Sequence, residues 1–392
     1  MDIMSIIPYI IATLIPLVVL YVIFSLDLYQ MGTFRNVLVA FLWGIAAFFL
    51  ARELNGYLYS AQIFTRSEIV RYAAPVGEEV LKALVLIYLV RRANFTYFVD
   101  GAIYGFAAGM GFAIFENYEY IGASTVGIGT AIARVISVNL IHASATALVG
   151  ISLGKSRFSR VWGQLGYTLG GLLLAMFVHG LFNNITDREI PGPILVYSAV
   201  IGIAATGIIA FMIFRGLAEQ RQWIEEKLGM SDRVTGGEAR VVQKLADLGE
   251  VLGPLRKQFG DEKAAHVEEF LLLQARLGIK RKTLEKLPDE KMRTAVEKEM
   301  TEIREKMEEK RRKVGSYVML VVRNIFPGES SPLWGMLESR IQQRIDERKA
   351  EGSPKVNLFA NLSQRIAATP AKPGLVDNRP VEHPLSETDT EG

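Results

Sequence analysis

Long apolar runs fill the first half of this 392-residue chain and restrict its fold more than any other feature. Each run is close to the ~20 residues that an α-helix needs to cross a bilayer. Lipid offers the backbone no hydrogen-bond partners, so such runs fold as helices. We therefore predict an all-α, polytopic transmembrane helix bundle over residues 1–215. Its seven candidate spans are residues 4–26, 34–54, 69–90, 99–121, 127–154, 161–185 and 193–214.

The second half of the chain mixes acidic and basic residues with apolar positions at helical spacing. We predict a soluble, charged helical domain over residues 216–350, with helices near 238–259, 261–277, 289–314, 316–325 and 333–349. The composition of residues 351–392, rich in Pro, Ser, Thr and Asp, is typical of a disordered tail. The net charge of +3 without a basic stripe argues against a nucleic-acid partner, and the lack of cysteine excludes disulfides and thiolate chemistry.

Basic residues at the ends of the apolar runs predict the orientation of the spans. Arg91 and Arg92 follow the third span, Lys155 follows the fifth and Arg215 follows the seventh. Such residues concentrate on the cytoplasmic side of a membrane. We therefore expect a multi-pass protein of the cell membrane whose C-terminus is cytoplasmic. Three arginines within residues 52–71 disagree with this orientation, which the other loops support.

Ionisable residues lie inside several of these apolar spans. Glu78, Glu79 and Lys82 share the third span, and each costs at least ~2.5–3.5 kcal/mol at the centre of a bilayer. Residues of this kind mark functional sites by default. Further polar side chains lie in the next three spans, namely Glu116, His142, and the pair His179 and Asn183.

Helix rise places these polar groups at similar depths. Counted at about 1.5 Å per residue from the predicted cytoplasmic ends, Glu78 and His142 lie ~20 Å deep, Glu116 ~24 Å and His179 ~28 Å. The four helices run in alternating directions, yet the groups fall in one layer in the outer half of the bilayer. This agreement predicts a single site formed by four helices.

Carboxylates and imidazoles at one depth are suited to binding a divalent metal. Glu116, His142 and His179 are the candidate ligands, and their donor types suit Zn²⁺ or another divalent ion. A metal with an open ligand position generates hydroxide near neutral pH. A metal-free pair of glutamate and histidine that activates water fits the same residues, and the pattern leaves both versions open.

The remaining polar residues suggest roles in hydrolysis. Glu78 or Glu79 would be the base that activates water, with Lys82, one helical turn away, holding one of the two carboxylates ionised. Asn183 would donate, together with His179, to a developing oxyanion. The reaction that this set favours is hydrolysis of a peptide bond in another membrane protein.

At these residues the chain resembles the PrsW family of intramembrane proteases, within a wider group that includes CAAX prenyl endopeptidases and bacteriocin-processing proteins. CAAX-type relatives carry arginine one position after Lys82 and histidine in place of Glu116, so the resemblance favours the PrsW branch. It implies a single-pass membrane substrate, such as an anti-sigma factor, cut on the extracytoplasmic side. It covers residues 69–184 and rests on Glu78-Glu79-Val80-Leu81-Lys82, on Gly111-Phe112-Ala113-Ile114-Phe115-Glu116-Asn117, on His142 with Thr146, and on His179 with Asn183.

Two other function classes fit buried acids and histidines. One is a proton- or ion-coupled transporter, because such residues also line ion pathways. The other is a catalytically inactive relative that binds membrane proteins as a scaffold or regulator. The predicted cytoplasmic domain lies outside the family motifs, and we expect it to bind a regulator.

Overall fold

Helices form every regular element in the described part of this computed structural model, residues 3–123, 128–186, 193–227 and 248–324. The first half contains α1 to α9, with two π-helical turns, Ile69–Ala73 before α4 and Val135–Asn139 before α7. The bounds of its α-helices are Ile3–Ser25, Phe34–Ser60, Arg66–Glu68, Ala74–Leu89, Phe98–Ala123, Ile128–Arg134, Leu140–Ser156, Val161–Thr186 and Pro193–Lys227. The second half contains α10 to α13, at Leu248–Phe259, Asp261–Lys286, Glu290–Val314 and Ser316–Asn324.

Six of the described helical segments are long and apolar enough to cross a membrane. They confirm the all-α, polytopic bundle, and they correspond to six of the seven predicted spans. The predicted span at residues 69–90 is not among them, because a π-turn divides it and its remainder, α4, has 16 residues with three charged side chains. This segment packs within the bundle as a shorter helix whose Glu79 and Lys82 are fully buried.

The helix α5 is the centre of the bundle. In the most apolar stretch of α5, 94% of the residues are buried, whereas the corresponding share is 22% in α8 and in α9. Glycines permit this close packing, since a Cβ on Gly105 would lie 2.5 Å from the Thr146 carbonyl oxygen. A Cβ on Gly109 would lie 2.3 Å from the carbonyl oxygen of His142. The backbones of α5 and α7 therefore touch beside the residues predicted to form the site.

The second half of the chain contacts the loops of the bundle. On α11, Lys280 donates to the Ala93 carbonyl oxygen (2.8 Å), and Arg276 donates to the Tyr29 carbonyl oxygen (3.2 Å). The helix α9 continues to Lys227, past the predicted domain boundary at residue 215. The predicted helix at 333–349, the first part of the predicted helix at 238–259, and the predicted tail at 351–392 lie outside the described residues. The three-part division of the chain stays a prediction.

Candidate active site

Glu79 is the most thoroughly paired carboxylate of the cluster. Its side chain and that of Lys82 are fully buried, and Lys82 Nζ lies 2.6 Å from Glu79 Oε1. The same oxygen lies 3.0 Å from Nδ1 of His179 on α8, while Thr146 on α7 donates to Oε2 at 3.0 Å. Each oxygen of Glu79 thus has a hydrogen-bond partner, and the three partners come from α4 itself, α7 and α8.

Glu78 precedes Glu79 by one residue and has the opposite environment. Its Oε2 is buried and has no hydrogen-bond partner among the described residues. That oxygen lies 4.0 Å from His142 Nδ1 and 3.8 Å from His179 Nε2. Buried polar atoms are seldom left unpaired without a functional reason. The free oxygen of Glu78 therefore faces a space that it shares with both imidazoles.

The two imidazoles form the opposite wall of this space. Their rings meet edge to face, with centroids 4.5 Å apart. On the sides away from Glu78, His179 Nδ1 contacts Glu79 (3.0 Å) and His142 Nε2 lies 2.6 Å from Glu116 Oε2. The second contact is close, although Glu116 Oε2 makes no well-aligned hydrogen bond with the described residues. Carboxylates commonly hold the outer nitrogen of metal-binding histidines in this way.

Lys82 joins the two halves of the cluster. Its Nζ lies 3.0 Å from His142 Nδ1 as well as 2.6 Å from Glu79. Because an ammonium only donates, Nδ1 of His142 accepts in this contact and Nε2 carries the proton toward Glu116. The ring of Phe112 lies below both groups, 4.4 Å from the Lys82 nitrogen and 5.1 Å from the His142 ring centroid.

A π-helical turn precedes each of the two helices that supply the acidic pair and His142. Such turns are frequent at functional sites because they locally change the phase of a helix. The turn Ile69–Ala73 leads into α4, and Asn183 on α8 donates to the carbonyl oxygen of Val70 at 2.9 Å. Asn183 thus contacts this turn, and its amide binds the backbone outside the carboxylate and imidazole cluster.

The structure brings together six of the seven residues singled out from the sequence: Glu78, Glu79, Lys82, Glu116, His142 and His179. Two participants were not assigned to the site. Thr146, which the family resemblance includes but to which no role in the site was assigned, donates to Glu79. Arg134 lies 3.6 Å from Glu116 and was overlooked, although an arginine inside the predicted span 127–154 was itself a signal.

One group of three side chains in the described part of the chain could hold a metal ion: Glu78, His142 and His179. One ligand atom from each lies within 4.8 Å of the others. In tetrahedral Zn²⁺ sites, bond lengths of about 2.0–2.2 Å require ligand atoms about 3.4 Å apart, so these atoms would have to approach one another by up to about 1.4 Å. The donor types and the unpaired Glu78 oxygen fit a divalent metal. The geometry groups Glu78, in place of the predicted ligand Glu116, with the two imidazoles. Glu116 instead contacts Nε2 of His142, on the side of the ring away from Glu78.

Comparison with known proteins identifies relatives of the membrane half. The family described as PrsW family intramembrane metalloprotease matches residues 32–216. Protease PrsW of Geobacillus kaustophilus is 30% identical over 160 residues, which are 40% of this chain and 69% of the relative. Protease PrsW of Bacillus subtilis is 31% identical over 109 residues, 28% of this chain and 49% of the relative. That of Clostridioides difficile is 32% identical over 124 residues, 30% and 50% respectively.

No solved structure shows a significant match to the chain. The family match contains every residue of the cluster and ends before α10 begins. The chain spans about half the length of the Bacillus and Clostridioides relatives. These matches support an intramembrane peptidase, which is a hydrolase.

Proposed function

Because this chain belongs to the PrsW family of intramembrane metalloproteases, we propose that it hydrolyses a peptide bond of a single-pass membrane protein, and that Glu78 faces the reacting atoms. One observation carries the proposal: the unpaired Oε2 of Glu78 lies within 4.0 Å of a nitrogen of each imidazole. Glu79, with both oxygens hydrogen-bonded, is the group that orients its neighbours.

We propose that Glu78, His142 and His179 hold a divalent metal ion, in keeping with the family description. A metal such as Zn²⁺ supplies Lewis-acid polarisation of a carbonyl and acidifies water when bound. Glu79 would then fix His179 with its Nε2 inward, and Glu116 would fix His142 with its Nδ1 inward. Lys82 keeps Glu79 ionised and holds the Nδ1 lone pair of His142, so metal binding at that nitrogen competes with Lys82.

A purified-protein experiment tests the metal. We expect the wild type to lose cleavage of a tagged single-pass reporter on treatment with a chelator and to recover it with Zn²⁺. Glu78→Gln should lower the bound metal, whereas the matched variant Glu119→Gln, at an exposed position one turn past Glu116, should not. Full cleavage by protein free of divalent metal would exclude the metal and leave the glutamate–histidine mechanism.

We further propose that the cluster lies in the outer half of the bilayer and that residues from Gly216 onward are cytoplasmic. The helix-rise estimates and the basic residues at the span ends support this orientation. The chain has no cysteine, so single introduced cysteines report directly on which side of the membrane a loop lies. Arg160→Cys should be protected from an impermeant maleimide in whole cells and Ala61→Cys should be labelled. The reverse pattern would place the C-terminal helices outside.

The C-terminal helices are proposed to regulate the protease through the bundle loops. Ala93, which binds Lys280, lies between α4 and α5, the helices that carry Glu78 and Glu116. The Lys280→Met variant should change the rate of reporter cleavage, and Lys306→Met, at an exposed position on α12, should not. Equal rates in both variants and the wild type would argue against this route of control.

A further inference from the structure

We propose that Arg134 is a positioning residue for the hydrolysis proposed above, on which this inference rests. Arg134 fixes the carboxylate of Glu116 so that one oxygen stays on the guanidinium and the other on His142. Neither the sequence motifs nor the candidate metal ligands include this arginine.

One turn of α5 holds the guanidinium in three ways. Nη2 of Arg134 lies 3.6 Å from Glu116 Oε1, and Nε donates to Asn117 Oδ1 at 3.0 Å. The guanidinium carbon stands 3.5 Å above the centroid of the Tyr120 ring. A planar fork that both hydrogen-bonds and stacks is a property of arginine that lysine does not share. The arginine is therefore held in one orientation by residues 116, 117 and 120.

Glu116 divides its two oxygens between Arg134 and the site. Oε1 faces the guanidinium at 3.6 Å, and Oε2 lies 2.6 Å from Nε2 of His142. The next groups along this path are Lys82, 3.0 Å from the other nitrogen of His142, and then Glu79. Positive and negative groups thus alternate across the helices. Loss of Arg134 would leave Glu116 without its cation and free to turn away from the imidazole.

The place of Arg134 in the chain gives it a second effect on His142. Arg134 ends α6, and the π-turn Val135–Asn139 follows directly and leads into α7. At the other end of this turn, Asn139 Oδ1 accepts a hydrogen bond from Asn117. Both ends of the π-turn are therefore attached to Asn117 on α5. The turn sets the phase of α7, and with it the direction in which His142 points.

The test compares Arg134→Gln with Arg52→Gln. The second variant is a matched control, because Arg52 is an exposed arginine on α2 that lies 3.9 Å from Glu119, a glutamate of α5 like Glu116. Two readouts are measured: kcat and KM for the tagged single-pass reporter, and Zn²⁺ affinity of the purified protein without substrate. We expect Arg134→Gln to lower kcat about 10- to 100-fold with KM within about twofold, and to weaken Zn²⁺ about 10-fold, as outer-shell changes do. Arg52→Gln should change neither.

A double variant separates positioning from a general structural effect. If Arg134 acts through Glu116, Arg134→Gln in the Glu116→Gln background should lower kcat by less than about threefold further, because interacting residues are not additive. Multiplying losses, or wild-type kcat and Zn²⁺ affinity in Arg134→Gln, would overturn the inference. If Arg134→Gln does not fold, Arg134→Lys is measured in its place. A reduced kcat in a variant that unfolds at the wild-type temperature supports the inference, and a wild-type kcat contradicts it. A wild type that binds Zn²⁺ without cleaving the reporter counts against the proposed function, and the Zn²⁺ affinities still decide the role of Arg134.

Discussion

Glu78 and Glu79 are consecutive residues of α4, yet Glu79 has hydrogen bonds at both oxygens and Glu78 has an oxygen with none in the described structure. A step of one residue on a helix turns the side chain by about 100°. That turn points Glu79 at Lys82, Thr146 and His179, and points Glu78 at the space between the imidazoles. We therefore propose different roles for the two carboxylates, with Glu78 in the chemistry and Glu79 in orienting its neighbours.

This difference predicts opposite effects on stability. Glu79→Gln should lower the free energy of unfolding by about 3–5 kcal/mol, since it leaves the buried Lys82 without its counter-ion. Glu78→Gln should change it by less than about 1 kcal/mol, because Gln keeps an acceptor for the Asn55 side chain and Oε2 has no hydrogen bond to lose among the described residues. Thermal unfolding of the detergent-solubilised variants measures both. Equal destabilisation would mean that the two carboxylates are not distinguished as described.

The pair of Glu79 and Lys82 should behave as one unit. Lys82→Met alone should destabilise the protein by about 3–5 kcal/mol, because it leaves the Glu79 carboxylate buried and uncompensated. Adding Glu79→Gln to that variant should restore a large part of the loss. A double variant whose loss equals the sum of the single losses would show that the pair is not coupled. Neither variant is expected to cleave efficiently, since Lys82→Met removes a partner of His142 and the double variant also changes the partner of His179.

The contact between α5 and α7 should tolerate no side chain at Gly109. An added Cβ would lie 2.3 Å from the His142 carbonyl oxygen, so Gly109→Ala must separate the two helices and displace His142. We expect a lower unfolding temperature and a loss of cleavage of at least tenfold. Gly56→Ala on α2 is the control, because a Cβ there meets no described atom within 4 Å. It should be neutral, or gain up to ~1 kcal/mol in helix propensity.

Asp27, between α1 and α2, should make stability depend on pH. Burial raises the pKa of Asp27 from 3.8 to about 6, although its Oδ2 accepts a hydrogen bond from Gly32. The folded state therefore binds the proton more tightly than the unfolded state, and this contribution to stability is present at low pH and lost as pH rises through about 6. Asp27→Asn keeps the acceptor without the charge. The stability that Asp27→Asn gains over the wild type should be about 1 kcal/mol larger at pH 7.5 than at pH 5.

Asp261→Asn, at an exposed aspartate on α11, provides the comparison for this pH effect. Its unfolding temperature relative to the wild type should be the same at pH 5 and pH 7.5. If Asp27→Asn also shows no difference between the two pH values, the carboxyl of Asp27 is not held as the burial implies.

The sequence predicted the helices well because apolar length and helical spacing are local properties. It also predicted that Glu78, Glu116, His142 and His179 share a site, since helix rise counted from the basic span ends gives them similar depths. It did not predict the π-turns at 69–73 and 135–139, which depend on contacts such as that of Asn183 with Val70. Nor could it distinguish Glu78 from Glu79, because the partners that do so come from α7 and α8.

The most direct test of the central claim is cleavage by three variants reconstituted in lipid vesicles with a tagged single-pass reporter that carries an extracytoplasmic domain. We expect Glu78→Gln and His179→Ala to lower kcat by at least about 100-fold, or about 2.7 kcal/mol in the activation barrier. Glu119→Gln should match the wild type, because its carboxylate is half exposed and pairs with Arg52. Wild-type kcat in Glu78→Gln would contradict the account, because it would show that the unpaired oxygen facing the two imidazoles takes no part in the reaction.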